Sequence, residues 1–125
     1  MCDMKTIALG LTLLTLPAHA MDAGLSITFA TCTGRFSAEM EHAWLLNDAR
    51  HVEFEHRRQQ FIELLDAVVR PGERRDMLDT RIDAKMAHAN LLYQVSFSGD
   101  QATAARALRR AQSELNYCTG YLLES

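Results

Sequence analysis

The stretch DQATAARALRRAQSELNYCTGYLL, residues 100–123, decides the fold. Asp100 is a natural N-cap, and behind it Ala104, Leu108, Ala111, Leu115 and Leu122 recur at steps of three, four or seven. That recurrence is the signature of an amphipathic helix with one apolar face. Working upstream, Gly99 and Asp100 interrupt a second pattern of the same kind. From about Glu73 to Ser96 it aligns Leu78, Ile82, Met86, Ala89 and Tyr93, with the acids Glu73 and Asp76 favourably near its start. Pro71 and Gly72 close a third, from about Val52 to Val69, in which Phe54, Phe61, Leu64, Leu65 and Val68 share a face. A fourth runs from Ser26 to about Asp48 and aligns Phe29, Cys32, Phe36, Met40 and Ala43. A short break is expected over Asn47 to His51. Segments rich in β-branched and aromatic residues, Leu25 to Ala30 and Tyr93 to Phe97, are short and abut helical patterns, so an all-α reading prevails.

Four helices joined by short turns predict a small antiparallel four-helix bundle, up-down-up-down, with the first and last helices also antiparallel. Cys32 lies near the start of the first helix and Cys118 near the end of the last, roughly 9 and 8 Å from the same end at 1.5 Å per residue. The two thiols therefore stand at one level, and a helix 1 to helix 4 disulfide between Cys32 and Cys118 is expected. Closing a loop of that length stabilises a fold by about 4–5 kcal/mol on the chain-entropy model, less any native strain. The tripeptide Cys-Thr-Gly occurs at both cysteines. One copy starts its helix and the other ends its helix, so the two are not equivalent positions of a repeat.

Residues 1–20 read as a cleaved signal peptide: Lys5, an apolar run from Ile7 to Leu16, then Pro17 and a small-x-small site at Ala18, His19 and Ala20. Met4 followed by Lys5 makes a more ordinary leader start than Met1. The run is too short for a membrane span, which needs about twenty apolar residues. Residues 21–125 then form a single helical domain, and export to the periplasm or the medium is expected. Cys2 would leave with the leader, and the remaining pair, Cys32 and Cys118, is what an oxidising compartment bridges. Of 125 residues, 48% are hydrophobic and 23% charged, which excludes disorder as the default state. The net charge of −3 disfavours non-specific nucleic-acid binding, and removing Lys5 together with Asp3 leaves it unchanged.

Three constellations of residues could carry chemistry. Two Glu-x-x-His runs, Glu39 to His42 and Glu53 to His56, have the spacing of ferritin-like carboxylate sites. At about 100° per residue, however, His42 turns about 120° from Phe36 and His56 about 140° from Phe61, away from the faces expected to build the core. Glu114, the sole Glu well inside either of the last two helices, lies about 120° from Leu108 on the same projection. A looser set, His42, His51, His56 and His88 with Met40, Met77 or Met86 as soft ligands, would suit a surface metal site. The preferred assignment is four partly exposed histidines and three core methionines. The basic pairs Arg57 and Arg58, Arg74 and Arg75, and Arg109 and Arg110 are interleaved with acids and read as solvated faces with salt-bridge options.

No Gly-x-Ser-x-Gly, Cys-x-x-Cys or haem-attachment motif occurs, so neither an enzyme nor a cofactor is expected. Ala43 to Leu46 place apolar groups all round the first helix. Cover by a bend in the helix or by a crossing second helix is expected there, an exposed patch for a partner protein being the other outcome. By elimination, the functional expectation is a non-enzymatic exported helical protein that binds another envelope protein as an accessory or chaperone-like factor. The alternative is a periplasmic metal-binding or metal-sensing protein using surface His and Met residues.

Overall fold

The computed structural model describes Gly10 and residues 18–122, with side chains from residue 24. The signal peptide expected over residues 1–20 lies outside them, except that the backbone of Ala18 to Ala20 belongs to the first helix. The described chain forms α1 (Ala18–Leu45), α2 (His51–Val68), a single 3-10 turn (Pro71–Glu73), α3 (Arg74–Phe97) and α4 (Gln101–Thr119). The all-α expectation holds, and the ends of α2 and α3 match the sequence pattern within a residue or so. The last helix stops at Thr119 rather than continuing to Leu123.

The turns have local causes. Asn47 sits at φ 54°, the left-handed conformation that Asn tolerates better than most residues. Asp48 N–H bonds the carbonyl of Ala43 at 2.8 Å and Asn47 N–H that of Trp44 at 3.1 Å, the paired bonds of a Schellman helix end. Asp48 then accepts from the backbone N–H of Arg50 at 2.9 Å as α2 begins. At the other connection Asp100 caps α4, accepting from Thr103 N–H at 3.2 Å as its sequence position predicts.

α1 is the central element, with buried side chains on nearly every side: Phe29, Cys32, Thr33, Phe36, Ala38, Glu39, Met40 and Ala43. α2 runs antiparallel to it, and Phe61 stacks on Phe36 with ring centroids 5.8 Å apart and tilts against Phe29 at 6.2 Å. α3 runs parallel to α1, since Gly34 meets Arg81 and Lys85, Glu39 meets His88, and His42 meets Ser96. In an up-down-up-down bundle α1 and α3 are a diagonal pair, and here that diagonal is collapsed. Gly34 explains it, because a Cβ there would clash with the carbonyl oxygen of Arg81 and lie 2.9 Å from the amide nitrogen of Lys85. With the backbones this close, α2 and α3 make no direct backbone approach to each other. α4 returns antiparallel to α1 and joins it through the Cys32–Cys118 disulfide, with Cα atoms 5.6 Å apart. The expected staple is present, but its expected distances from the helix ends are not: α1 begins at Ala18, well before Cys32, and α4 ends at Thr119, one residue after Cys118.

The collapsed diagonal also corrects the phase read for α3. Leu78, Ile82, Met86 and Tyr93, expected to build the core, are 52, 49, 64 and 63% exposed. The buried positions of α3 are Met77, His88 and Leu92. A helix lying against Gly34 must present small or polar-paired groups, such as Ala84, whose Cβ is 3.0 Å from where a Gly34 side chain would begin. The bulkier stripe is left outside. Leu108 on α4 is likewise exposed, and the buried residues of that helix are Ala107, Ala111 and Cys118.

Candidate functional site

Three helices converge on His88. Its ring is fully buried, Nε2 lies 2.8 Å from Oε1 of Glu39 on α1, and Nδ1 lies 2.9 Å from Oε2 of Glu114 on α4. The sequence had suggested a partly exposed histidine; burial between α1 and α4 corrects that. Glu39, from one of the two Glu-x-x-His runs, and Glu114 both point inward, and each takes one nitrogen of the same ring. Both ring nitrogens are thus engaged by carboxylate oxygens from two different helices. With both nitrogens engaged, it offers no lone pair to a metal or to a proton donor.

Glu114 is the hub. Arg110, one turn earlier, donates Nε to its Oε1 at 3.2 Å, and Arg35 on α1 lies 3.5 Å from its Oε2. Arg35 Nη1 also reaches the Glu114 carbonyl at 3.4 Å and Cys118 Sγ at 3.8 Å, so the charge cluster abuts the disulfide. Burial pushes the Glu114 carboxyl upward and is the largest single influence. Hydrogen bonds from His88 and Arg110 and the Arg35 charge together outweigh it and hold the carboxyl below its ordinary range. On α4 the cluster occupies the turn between Cys118 and Ala111, and Ala111 packs with Ala38 and Leu92 in a small apolar layer. The polar layer thus lies between the larger core at the disulfide and this smaller one, and it fixes the register of α1, α3 and α4.

The remaining candidate residues do not come together. His42 bonds Ser96 Oγ at 2.7 Å, His51 lies against Trp44 with ring centroids 5.9 Å apart, and His56 is exposed on α2. Met40 and Met77 are buried, whereas Met86 is exposed, so the methionine assignment holds for two of three. Among the described residues no grouping of three or more His, Cys, Asp or Glu side chains has a metal-holding arrangement. The basic pairs behave as solvated faces in part: Arg74 pairs with Asp66 at 3.7 Å, while Arg58 turns inward to donate to Ser37 Oγ at 2.9 Å.

The second feature is a surface. Leu78, Ile82, Met86, Tyr93 and Phe97 recur along α3 at steps of four, four, seven and four, one continuous exposed stripe. At its C-terminal end the stripe is continued by α1: Leu45 borders a shallow depression with His42, Ala89, Tyr93 and Phe97. Trp44, Leu45 and Leu46 are exposed, so the second helix does not cover the end of α1 as had been expected. The Schellman turn sends α2 back along the face that carries Phe36 and leaves the outer side bare. One flank of the stripe is acidic, with Asp76, Asp79 and Asp83 exposed at steps of three and four. The other flank is closed by the Lys85–Glu41 ion pair at 2.6 Å. Among the described residues no helix is long and apolar enough to cross a membrane. Compared with known proteins, the chain matches no family model, no curated protein and no solved structure.

Proposed function

We propose that this chain is a small exported helical protein, periplasmic or secreted, that acts without catalysis by binding another envelope protein as an accessory or chaperone-like factor. The observation that carries the reading is the outward apolar stripe of α3, continued by Leu45 of α1. A contiguous run of exposed apolar side chains rimmed by polar residues is the kind of surface that protein interaction sites use. The partner suited to it is an amphipathic helix whose apolar face lies on Ile82, Met86 and Tyr93 and whose Lys or Arg residues meet Asp79 and Asp83. Export rests on the leader pattern of residues 1–20 and on the Cys32–Cys118 bridge, a bond that persists in oxidising compartments.

The test pairs intact mass with retention. Protein purified from the native host's envelope fraction should begin near Met21 and show no free thiol until it is reduced. The wild type should retain a partner that Ile82→Glu and Tyr93→Glu both release, while Arg109→Glu retains it. A full-length chain with free thiols would remove the export half of the reading. Equal retention by all variants would remove the binding half, and stoichiometric zinc or copper surviving dialysis would favour metal binding instead.

A further inference from the structure

An open cavity of about 640 Å³ lies between α1 and α4, with Glu114 in its lining. That volume falls within the range of small-molecule sites, about 300–1,000 Å³. No residue of α3 lines it, so it is separate from the apolar stripe. Its charged lining consists of Arg35, Arg110 and Glu114, two guanidiniums against one carboxylate. That carboxylate is already spent on His88, Arg35 and Arg110. Arg35 keeps Nη2, and Arg110 keeps both terminal nitrogens, without a partner among the described residues.

Arg35 has a side chain only 19% exposed and lies 3.4 Å from the Glu114 carbonyl and 3.5 Å from its carboxylate, which limits its freedom before any ligand arrives. Thr28 and Thr31 on α1 and Ser113 on α4 add hydroxyl-bearing residues to the lining, and Ile27 and Tyr117 supply its larger apolar groups. Planar guanidinium forks match a carboxylate with two parallel hydrogen bonds, whereas an apolar wall beside them rewards a carbon skeleton on the same ligand.

We infer that the α1/α4 cavity is a binding site for a small organic carboxylate, with the carboxylate held by Arg35 and Arg110 and its apolar body set against Ile27 and Tyr117. Neither the protein-binding reading nor the stripe is needed for this site, and the two stand or fall separately.

Amide chemical shifts of the isotope-labelled, disulfide-bonded protein are followed during titration with sodium benzoate, sodium acetate, sodium phosphate and sodium chloride at matched ionic strength. Benzoate should give saturable shifts centred on Thr28, Thr31, Ser113 and Tyr117. Acetate should shift the same amides more weakly, and chloride should not saturate. Arg110→Gln, at a side chain 72% exposed and so safe for folding, should weaken benzoate by about tenfold, the loss of one charged hydrogen-bonding partner. Arg109→Gln, beside it on α4 but outside the cavity, should leave the affinity unchanged. Shifts that track ionic strength alike for all four salts, benzoate shifts centred on the α3 stripe, equal affinity for phosphate and benzoate, or an unaltered Arg110→Gln would each overturn the assignment.

Discussion

Nδ1 of His88 and Oε2 of Glu114 stand 2.9 Å apart across the α3/α4 interface, with the ring's other nitrogen 2.8 Å from Glu39 on α1. A single buried side chain thereby ties together three of the four helices, and its removal would leave two inward-facing carboxylates without their shared hydrogen-bond partner. His88→Ala is expected to cost about 3–5 kcal/mol, the range for uncompensating a buried ion pair. Urea unfolding at neutral pH measures it; a loss below about 1 kcal/mol would mean that the cluster is hydrated in solution.

Glu114 gives a pH dependence with a definite sign. Its folded-state carboxyl is held below the ordinary value of 4.5, burial working against the shift while His88, Arg110 and Arg35 more than offset it. A lowered carboxylate contributes stability that is fully present above the unfolded value and is lost as pH falls through the folded one. The wild type should therefore lose stability below about pH 4.5, and Glu114→Gln should show a shallower decline over that window while starting from lower stability at pH 7. Denaturant midpoints from pH 7 to 3 decide it. Glu39 and Arg35 on α1, His88 on α3 and Arg110 on α4 are the titratable and charged groups clustered with Glu114, so a shallower slope shared by variants outside this set would contradict the assignment.

Reduction of Cys32–Cys118 should lower stability by about 4–5 kcal/mol on the chain-entropy model, given the sequence separation of 86. Unfolding curves with and without reductant report the difference. An unchanged midpoint would show that the α1/α4 contact holds without the bond.

Gly34 and Gly24 should respond oppositely to alanine. A Cβ at Gly34 meets the α3 backbone at Arg81 and Lys85, whereas one at Gly24 meets nothing within 4 Å. Gly34→Ala is expected to destabilise by about 1–3 kcal/mol or to push α3 away from α1. Gly24→Ala, within α1, should be neutral or stabilise by up to about 1 kcal/mol. Thermal melts of the two variants separate these effects.

The helices, their turns and the disulfide were legible in the sequence because caps, breakers and apolar spacing are local signals. What the sequence reading lost was phase. For α3 the largest apolar residues point to one inner face, but the inner face is set by the close approach at Gly34, a contact between helices that periodicity does not contain. For α4 the signal was present and unused. The expected bridge already fixes Cys118 inward, and stepping back by four, three and four from it reaches Glu114, Ala111 and Ala107, the inward-facing positions of that helix. The same step from Cys32 by three and four reaches Arg35 and Glu39 on α1. His88 carried no such anchor, and only the packing of α3 places it opposite both carboxylates.

The measurement that tests the proposed role most directly is site-specific crosslinking in the native host, with a photoreactive amino acid at Ile82 and, separately, at Arg109 on α4. Crosslinking from Ile82 to one other envelope protein, absent from Arg109, is the predicted result. Crosslinks from Ile82 to a second copy of this chain alone, or the same products from both positions, would contradict it.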